Sequence, residues 1–181
     1  MFMTYLDKTF FNRPPNTVAP ELLGAYLLMH PEGETEKIAQ ITEVEAYLGE
    51  GDAASHGVRY GRTPAREALF MGPGTIYIHP MRAYVGMDIV TEEEGVPSSL
   101  LIRAATPVAG FPAGTDLEKH LKGPGKLCRG LGITKALYGM NVTEPDCPLS
   151  IIPHTGLSDV RQSKRVGISQ NRDAKLRFFI K

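Results

Sequence analysis

The chain has 181 residues, 42% hydrophobic and 22% charged, enough for one folded domain over 1–181 with a sizeable core. Lys and Arg number 20 against 20 Asp and Glu, a formal net charge of zero. That balance excludes an indiscriminate nucleic-acid coater, whose affinity comes from neutralising many phosphates, but permits a local basic face. The two cysteines, Cys128 and Cys147, are too few for a disulfide framework and lack metal-type spacing. No signal peptide and no bilayer-length apolar run is evident, so the expectation is a cytosolic protein with no membrane partner.

Thr17-Val18-Ala19-Pro20-Glu21 reads as a helix start, with Thr17 as N-cap and Pro20 in the first turn. Leu22, Leu23, Tyr26 and Leu27 would supply its apolar face. From Lys37 to Tyr47 the period becomes two. Ile38, Gln40, Thr42, Val44 and Ala46 fall on one face, and Ala39, Ile41, Glu43, Glu45 and Tyr47 on the other. Gly49 to Thr63 reads as a long polar loop, followed by a short helix from Pro64 to Phe70. Gly72-Pro73-Gly74 turns the chain into a strand, Thr75 to His79, with Tyr77 and His79 on one face. Tyr84–Val90, Leu100–Ala105, Leu149–Ile152 and Leu176–Ile180 are further strands, and Gly123-Pro124-Gly125 opens a helix through Leu131. Strands outnumber helices with no regular βαβ alternation. The fold class is therefore α+β: a curved, largely antiparallel sheet with flanking helices and long loops.

No GxGxxG, P-loop or HExxH is present, and the five histidines (His30, His56, His79, His120 and His154) are scattered, so neither a nucleotide cofactor nor a metal is expected. On residues alone, Glu43 and Glu45 are either an acid/base set or two solvated carboxylates on a strand. The loop returning His56 toward Tyr47 adds a polar-aromatic pocket able to hold a flat heterocycle. Basic residues cluster at Arg59, Arg62 and Arg66, and again from Arg161 to Arg177.

Taken in order, Glu43-Val44-Glu45-Ala46-Tyr47-Leu48-Gly49, Ala53-Ala54-Ser55-His56, Arg62-Thr63-Pro64 with Arg66, Phe70-Met71-Gly72-Pro73-Gly74-Thr75-Ile76-Tyr77, Leu101-Ile102-Arg103-Ala104, Gly123-Pro124-Gly125-Lys126-Leu127-Cys128, Arg165-Val166-Gly167-Ile168 and Lys175-Leu176-Arg177-Phe178 make a specific set. It resembles the alkyladenine (3-methyladenine) DNA glycosylase family over nearly the whole chain. The resemblance implies a monofunctional, cofactor-free and metal-free hydrolase acting as a monomer in the bacterial cytosol and nucleoid. Its partner would be double-stranded DNA containing damaged purines, flipped out of the helix for base excision repair.

By that resemblance Glu45 is the general base, Arg103 helps to hold Glu45 and the attacking water, and Val166 contacts that water through its carbonyl. Tyr47, His56, His79 and Asp88 are base-pocket positions. Arg62, Arg66, Lys164 and Arg165 are expected at the DNA surface, and Met81 or Arg82 takes the wedge position. The chain departs from the family at His79, where Tyr is usual, at Asp88, where Asn is usual, and in a hairpin one residue shorter. The alternative is a lesion-recognition protein on the same scaffold that binds without cutting.

Overall fold

The computed structural model describes residues 4–112, 121–154 and 159–180. Its helices are α1 (Lys8–Phe11), α2 (Pro15–Leu22), α3 (His56–Tyr60) and α4 (Pro124–Leu131). The strands are β1 (Tyr26–Met29), β2 (Lys37–Tyr47), β3 (Ile76–Met81), β4 (Tyr84–Thr91), β5 (Ser98–Ala109), β6 (Leu149–Ile152), β7 (Arg161–Ser163) and β8 (Arg177–Phe179). Pro64–Phe70 and Lys135–Leu137 form 3-10 turns. His120 lies outside the described residues.

The strands form one curled antiparallel sheet in the order β3-β4-β5-β2-β1-β6, in keeping with the expected α+β class. Its central strand, β2, pairs with β5 along one edge. On its other edge it pairs first with β1 over Lys37–Gln40 and then with β8 over Glu43–Glu45. β7 and β8 pair with each other beside this second half.

The register of β2 slips on either side of Glu43. A bulge of this kind inserts a residue and reverses which face the following side chains take. Ala39 and Ile41 are therefore core residues before it, and Val44 and Ala46 after it, all fully buried. The uninterrupted alternation expected over Lys37–Tyr47 fails at this point, and Ala39 and Ile41 do not share a face with Glu45.

On the core side, Ile76 and Ile78 of β3, Met87 and Ile89 of β4, Leu100 and Ile102 of β5, and Val44 and Ala46 of β2 pack with Leu22, Leu127 and Leu131 from the helices. Each such aliphatic side chain contributes roughly 1.5–3 kcal/mol on burial. The opposite face of the same strands carries Tyr77 and His79, Asp88, Ser99 and Arg103, and Glu43, Glu45 and Tyr47. Alternation along four neighbouring strands thus puts core on one side and chemistry on the other.

Two expected boundaries change. α2 begins at Pro15, not after Thr17, because Pro15 occupies the first helical position, where its missing N–H removes no bond. Pro20 accordingly lies inside the helix. Gly24, with φ of 79°, then turns the chain, and two hydrogen bonds, Gly24 N to Ile41 O and Ile41 N to Ala25 O, start β1. Tyr26 and Leu27 are strand residues for that reason. The segment 49–63 also contains α3, begun by a hydrogen bond from Ser55 N to Asp52 O (2.9 Å).

Candidate active site

A cavity of about 430 Å³ opens on the polar face of the sheet, lined by Tyr47, His56, His79, Asp88, Arg103 and Val166 among others. This volume is within the roughly 300–1,000 Å³ of small-molecule sites. Glu45 lies beneath the wall with no exposed surface. Tyr47 Oη donates to its Oε2 at 3.0 Å, Arg103 Nη1 to the same oxygen at 3.3 Å, and Val166 N to Oε1 at 2.7 Å.

The reason for this convergence is strand register. Glu45 pairs with Leu101 of β5 and Arg177 of β8, so arginines on both neighbouring strands reach the carboxylate row. Arg103 Nε and Arg177 Nε each donate to Glu43 Oε1 at 2.7 Å. Burial pushes the Glu43 carboxyl upward, but the Arg177 and Arg103 bonds and charges outweigh it and hold it below its usual value. For Glu45 burial prevails, with a further push from Glu43, against Arg103, the Val166 N–H and Tyr47. The two carboxylates, adjacent on one strand face, are thereby driven apart: one locked as a counter-ion, the other made more basic.

The far side of the cavity is aromatic and imidazole. Tyr77 and His79 stack with centroids 5.3 Å apart, and the His56 ring meets His79 edge-on at 5.1 Å. His56 Nδ1 lies 3.2 Å from Tyr77 Oη. His79 Nε2 lies 3.0 Å from Asp88 Oδ1, and Ser99 Oγ donates to Asp88 Oδ2 at 2.7 Å. Burial lowers His56 below the usual histidine value. It pulls His79 the same way, but the Asp88 hydrogen bond and charge overcome it and raise the imidazole. Gly86 makes this arrangement possible, since a Cβ there would sit 2.6 Å from His79 Cε1.

The structure thus brings Glu45, Tyr47, His56, His79, Asp88, Arg103 and Val166 together. Val166 does so through its N–H on Glu45, a contact different from the carbonyl-to-water one the resemblance implies. Met81 lines the cavity. Arg82, with φ of 51°, sits exposed in the two-residue turn of the β3–β4 hairpin, where Gly is the usual occupant.

Of the expected DNA-surface residues, Arg62 is exposed and paired with Glu67, and Lys164 is exposed and paired with Asp173. Arg66 packs over the Tyr60 ring and donates to the Gly61 carbonyl. Arg59 Nη1 reaches Ser169 Oγ at 3.4 Å, which brings the segment after Val166 against α3. Arg165 needs correction. Its side chain is fully buried and paired bidentately with Asp52, leaving no guanidinium surface for phosphate.

Sequence reading missed the Asp52–Arg165 and His79–Asp88 pairs, Arg177 as a second partner of Glu43, and Gly86. Two signals were available: Asp52 stands inside the polar segment from Gly49 to Thr63, immediately before Ala53-Ala54-Ser55-His56, and Gly86 faces His79 across a short hairpin. Among the described residues no group of three His, Cys, Asp or Glu gathers to hold a metal ion, and no helix is long and apolar enough to cross a membrane.

A family model described as "Methylpurine-DNA glycosylase (MPG)" matches residues 9–181. A protein of Myxococcus xanthus is 36% identical over 169 residues, covering 92% of this chain and 83% of that protein. One from Rhodopirellula baltica is 36% identical over 97% of this chain and 79% of its own length, and one from Legionella pneumophila 36% over 99% and 96%. All three carry the name "Putative 3-methyladenine DNA glycosylase". With a family match over almost the whole chain and relatives this similar end to end, the chain belongs to the methylpurine-DNA glycosylase family.

Proposed function

We propose that the protein is a monofunctional DNA glycosylase that hydrolyses the N-glycosidic bond of alkylated purines, 3-methyladenine first among them, after the nucleotide leaves the duplex. The observation that carries this reading is the buried Glu45 carboxylate, held by Arg103, Tyr47 and Val166 under a cavity walled by aromatic and imidazole rings.

Among the described residues Glu45 Oε1 accepts one hydrogen bond, from Val166, and its second lone pair serves the attacking water. In the reaction Glu45 takes one proton from that water, the hydroxyl bonds to C1′, and the base departs with the electron pair of the glycosidic bond. For a base already made cationic by alkylation, that pair neutralises its charge and no acid is needed. The Glu45 charge also favours the oxocarbenium character developing at the sugar. Among the described residues the cavity lining includes no Lys, which supports hydrolysis over Schiff-base chemistry.

The flipped base stacks among Tyr47, His56 and His79, where ring faces attract an electron-poor, cationic purine. Asp88 is acceptor-only when ionised, so it tolerates the exocyclic amine of 7-methylguanine and gives neutral hypoxanthine no proton. Met81 or Arg82 at the hairpin tip fills the gap left in the duplex, and Arg62, Arg66 and Lys164 meet phosphates around the cavity. The enzyme acts as a monomer on bacterial nucleoid DNA and needs no cofactor.

The experiment is incubation with methylated duplex DNA and chromatographic measurement of free base. Release of 3-methyladenine, with 7-methylguanine removed faster than hypoxanthine from matched duplexes, is expected. Tight lesion binding with no base released would favour a recognition role instead, and hypoxanthine released as fast as 7-methylguanine would refute the role given to Asp88.

A further inference from the structure

Behind the cavity wall lies a second buried polar cluster that the reaction does not touch. Asp52 and Arg165 have fully buried side chains, joined by Nη1 to Oδ2 at 2.6 Å and Nη2 to Oδ1 at 2.8 Å. Asp52 also accepts from Leu48 N at 3.0 Å, Ala54 N at 3.1 Å and Asn171 Nδ2 at 3.1 Å. Arg165 Nη1 donates to Ala46 O at 2.9 Å, and its guanidinium lies 4.6 Å from the Tyr47 ring centroid.

We propose that Asp52 is a positioning residue for the reaction: through Arg165 it holds the Val166 N–H on Glu45 and fixes the Tyr47 ring. The inference rests on reading Glu45 as the water-activating base. Its geometry is direct. Arg165 and Val166 are consecutive, so a guanidinium clamped to Asp52 and to the Ala46 carbonyl sets where the next peptide N–H points. Ala46 itself lies between Glu45 and Tyr47 on β2. The same carboxylate orders the turn into α3, which carries His56, so three walls of the cavity meet at one side chain.

A purely structural role explains the cluster less well. A buried ion pair adds little net stability over apolar packing of similar shape. Arg165 Nε is also buried with no hydrogen-bond partner among the described residues, an arrangement poorly suited to stability alone. What the pair does supply is direction, two parallel bonds that leave the guanidinium one orientation. Misplacing a reacting group by about 1 Å is enough to slow a reaction about 100-fold.

The test is Asp52→Asn, with Asn171→Ala as a milder variant, in single-turnover base release from a methylated duplex across pH. Glu45 is faced by Glu43 and Tyr47 from β2, Arg103 from β5 and Arg177 from β8, and neither substitution replaces any of these residues. An N–H bonded to a carboxylate favours its ionised form. Loosening Val166 therefore moves the acid limb of the rate profile to higher pH. Asp52→Asn is expected to show that move and a fall in rate of at least tenfold, with lesion-duplex affinity within threefold of wild type. Asn171→Ala moves the limb the same way by less, and decides alone if Asp52→Asn does not fold. An unmoved acid limb, or a rate loss matched by an equal affinity loss, overturns the inference while wild-type release leaves the glycosylase reading standing. Wild-type protein that releases no base overturns that reading and the inference with it.

Discussion

Replacing Asp88 by Asn keeps the side-chain shape and removes the charge facing His79. In the native pocket His79 Nε2 and Asp88 Oδ1 are 3.0 Å apart, with side chains only 10% and 9% exposed. Burial alone would disfavour the imidazolium, yet the Asp88 bond and charge raise His79 above its usual value. A hydrogen bond to a charged group contributes about 1.5–3 kcal/mol, and one pH unit corresponds to about 1.4 kcal/mol. The substitution is therefore expected to lower the His79 midpoint. Because the folded value is the raised one, this stabilisation is fully present below the unfolded histidine value, about 6.5, and is lost as pH rises through the folded value. Asp88→Asn should thus be destabilised by about 1.5–3 kcal/mol at pH 5 and by much less at pH 9. At high pH the neutral ring accepts from the new amide N–H while the amide oxygen still serves Ser99. The assay is NMR titration of the His79 ring, assigned with a His79→Gln variant, together with denaturant unfolding at both pH values. An unchanged midpoint, or equal destabilisation at pH 5 and pH 9, would refute the reasoning.

Gly86→Ala would place a methyl 2.6 Å from His79 Cε1 and 2.7 Å from Met81 Sδ. The ring must move, and base release should fall at least tenfold with the fold intact by circular dichroism; wild-type rates would show that the ring position does not matter. Leu127→Ala, at a fully buried position of the core, should cost about 2.7–5 kcal/mol and lower Tm by about 5–20 °C, read by calorimetry. Lys164→Ala should leave Tm unchanged, since Lys164 and Asp173 are both exposed. It should weaken DNA binding and reduce the salt slope of log Kd by about 0.9; an unaltered slope would remove Lys164 from the DNA surface.

Period-two patterning from Ile76 to His79 and along the second half of β2 was enough to place Tyr77 with His79 and Glu45 with Tyr47. The bulge at Glu43 was not legible, because a register slip depends on the partner strand β5 and leaves no mark on composition. α3 was hidden in a segment that is polar and glycine-rich: its start relies on the Asp52 carbonyl and its burial on the contact of Gly57 with Pro97, where a Cβ would come within 2.3 Å. Arg165 looked like surface charge in a basic stretch, and only the fold brings Asp52 to it across more than a hundred residues. The role of Glu45 itself was not readable from strand periodicity. It required the resemblance; the structure adds the hydrogen bonds from Arg103, Tyr47 and Val166, and the catalytic role itself is the proposal put to test below.

The most direct measurement compares wild type with Glu45→Gln in single-turnover release of 3-methyladenine from a methylated duplex, with binding to a lesion duplex measured in parallel. The amide keeps the volume, and its single oxygen can still accept from Arg103 and Tyr47, but its NH2 group cannot accept from Val166 and it cannot take a proton from water. Lesion affinity close to wild type with release lowered by at least 100-fold, within the range of about 10²–10⁴ for a general base, is the predicted result. Release at the wild-type rate would contradict the account.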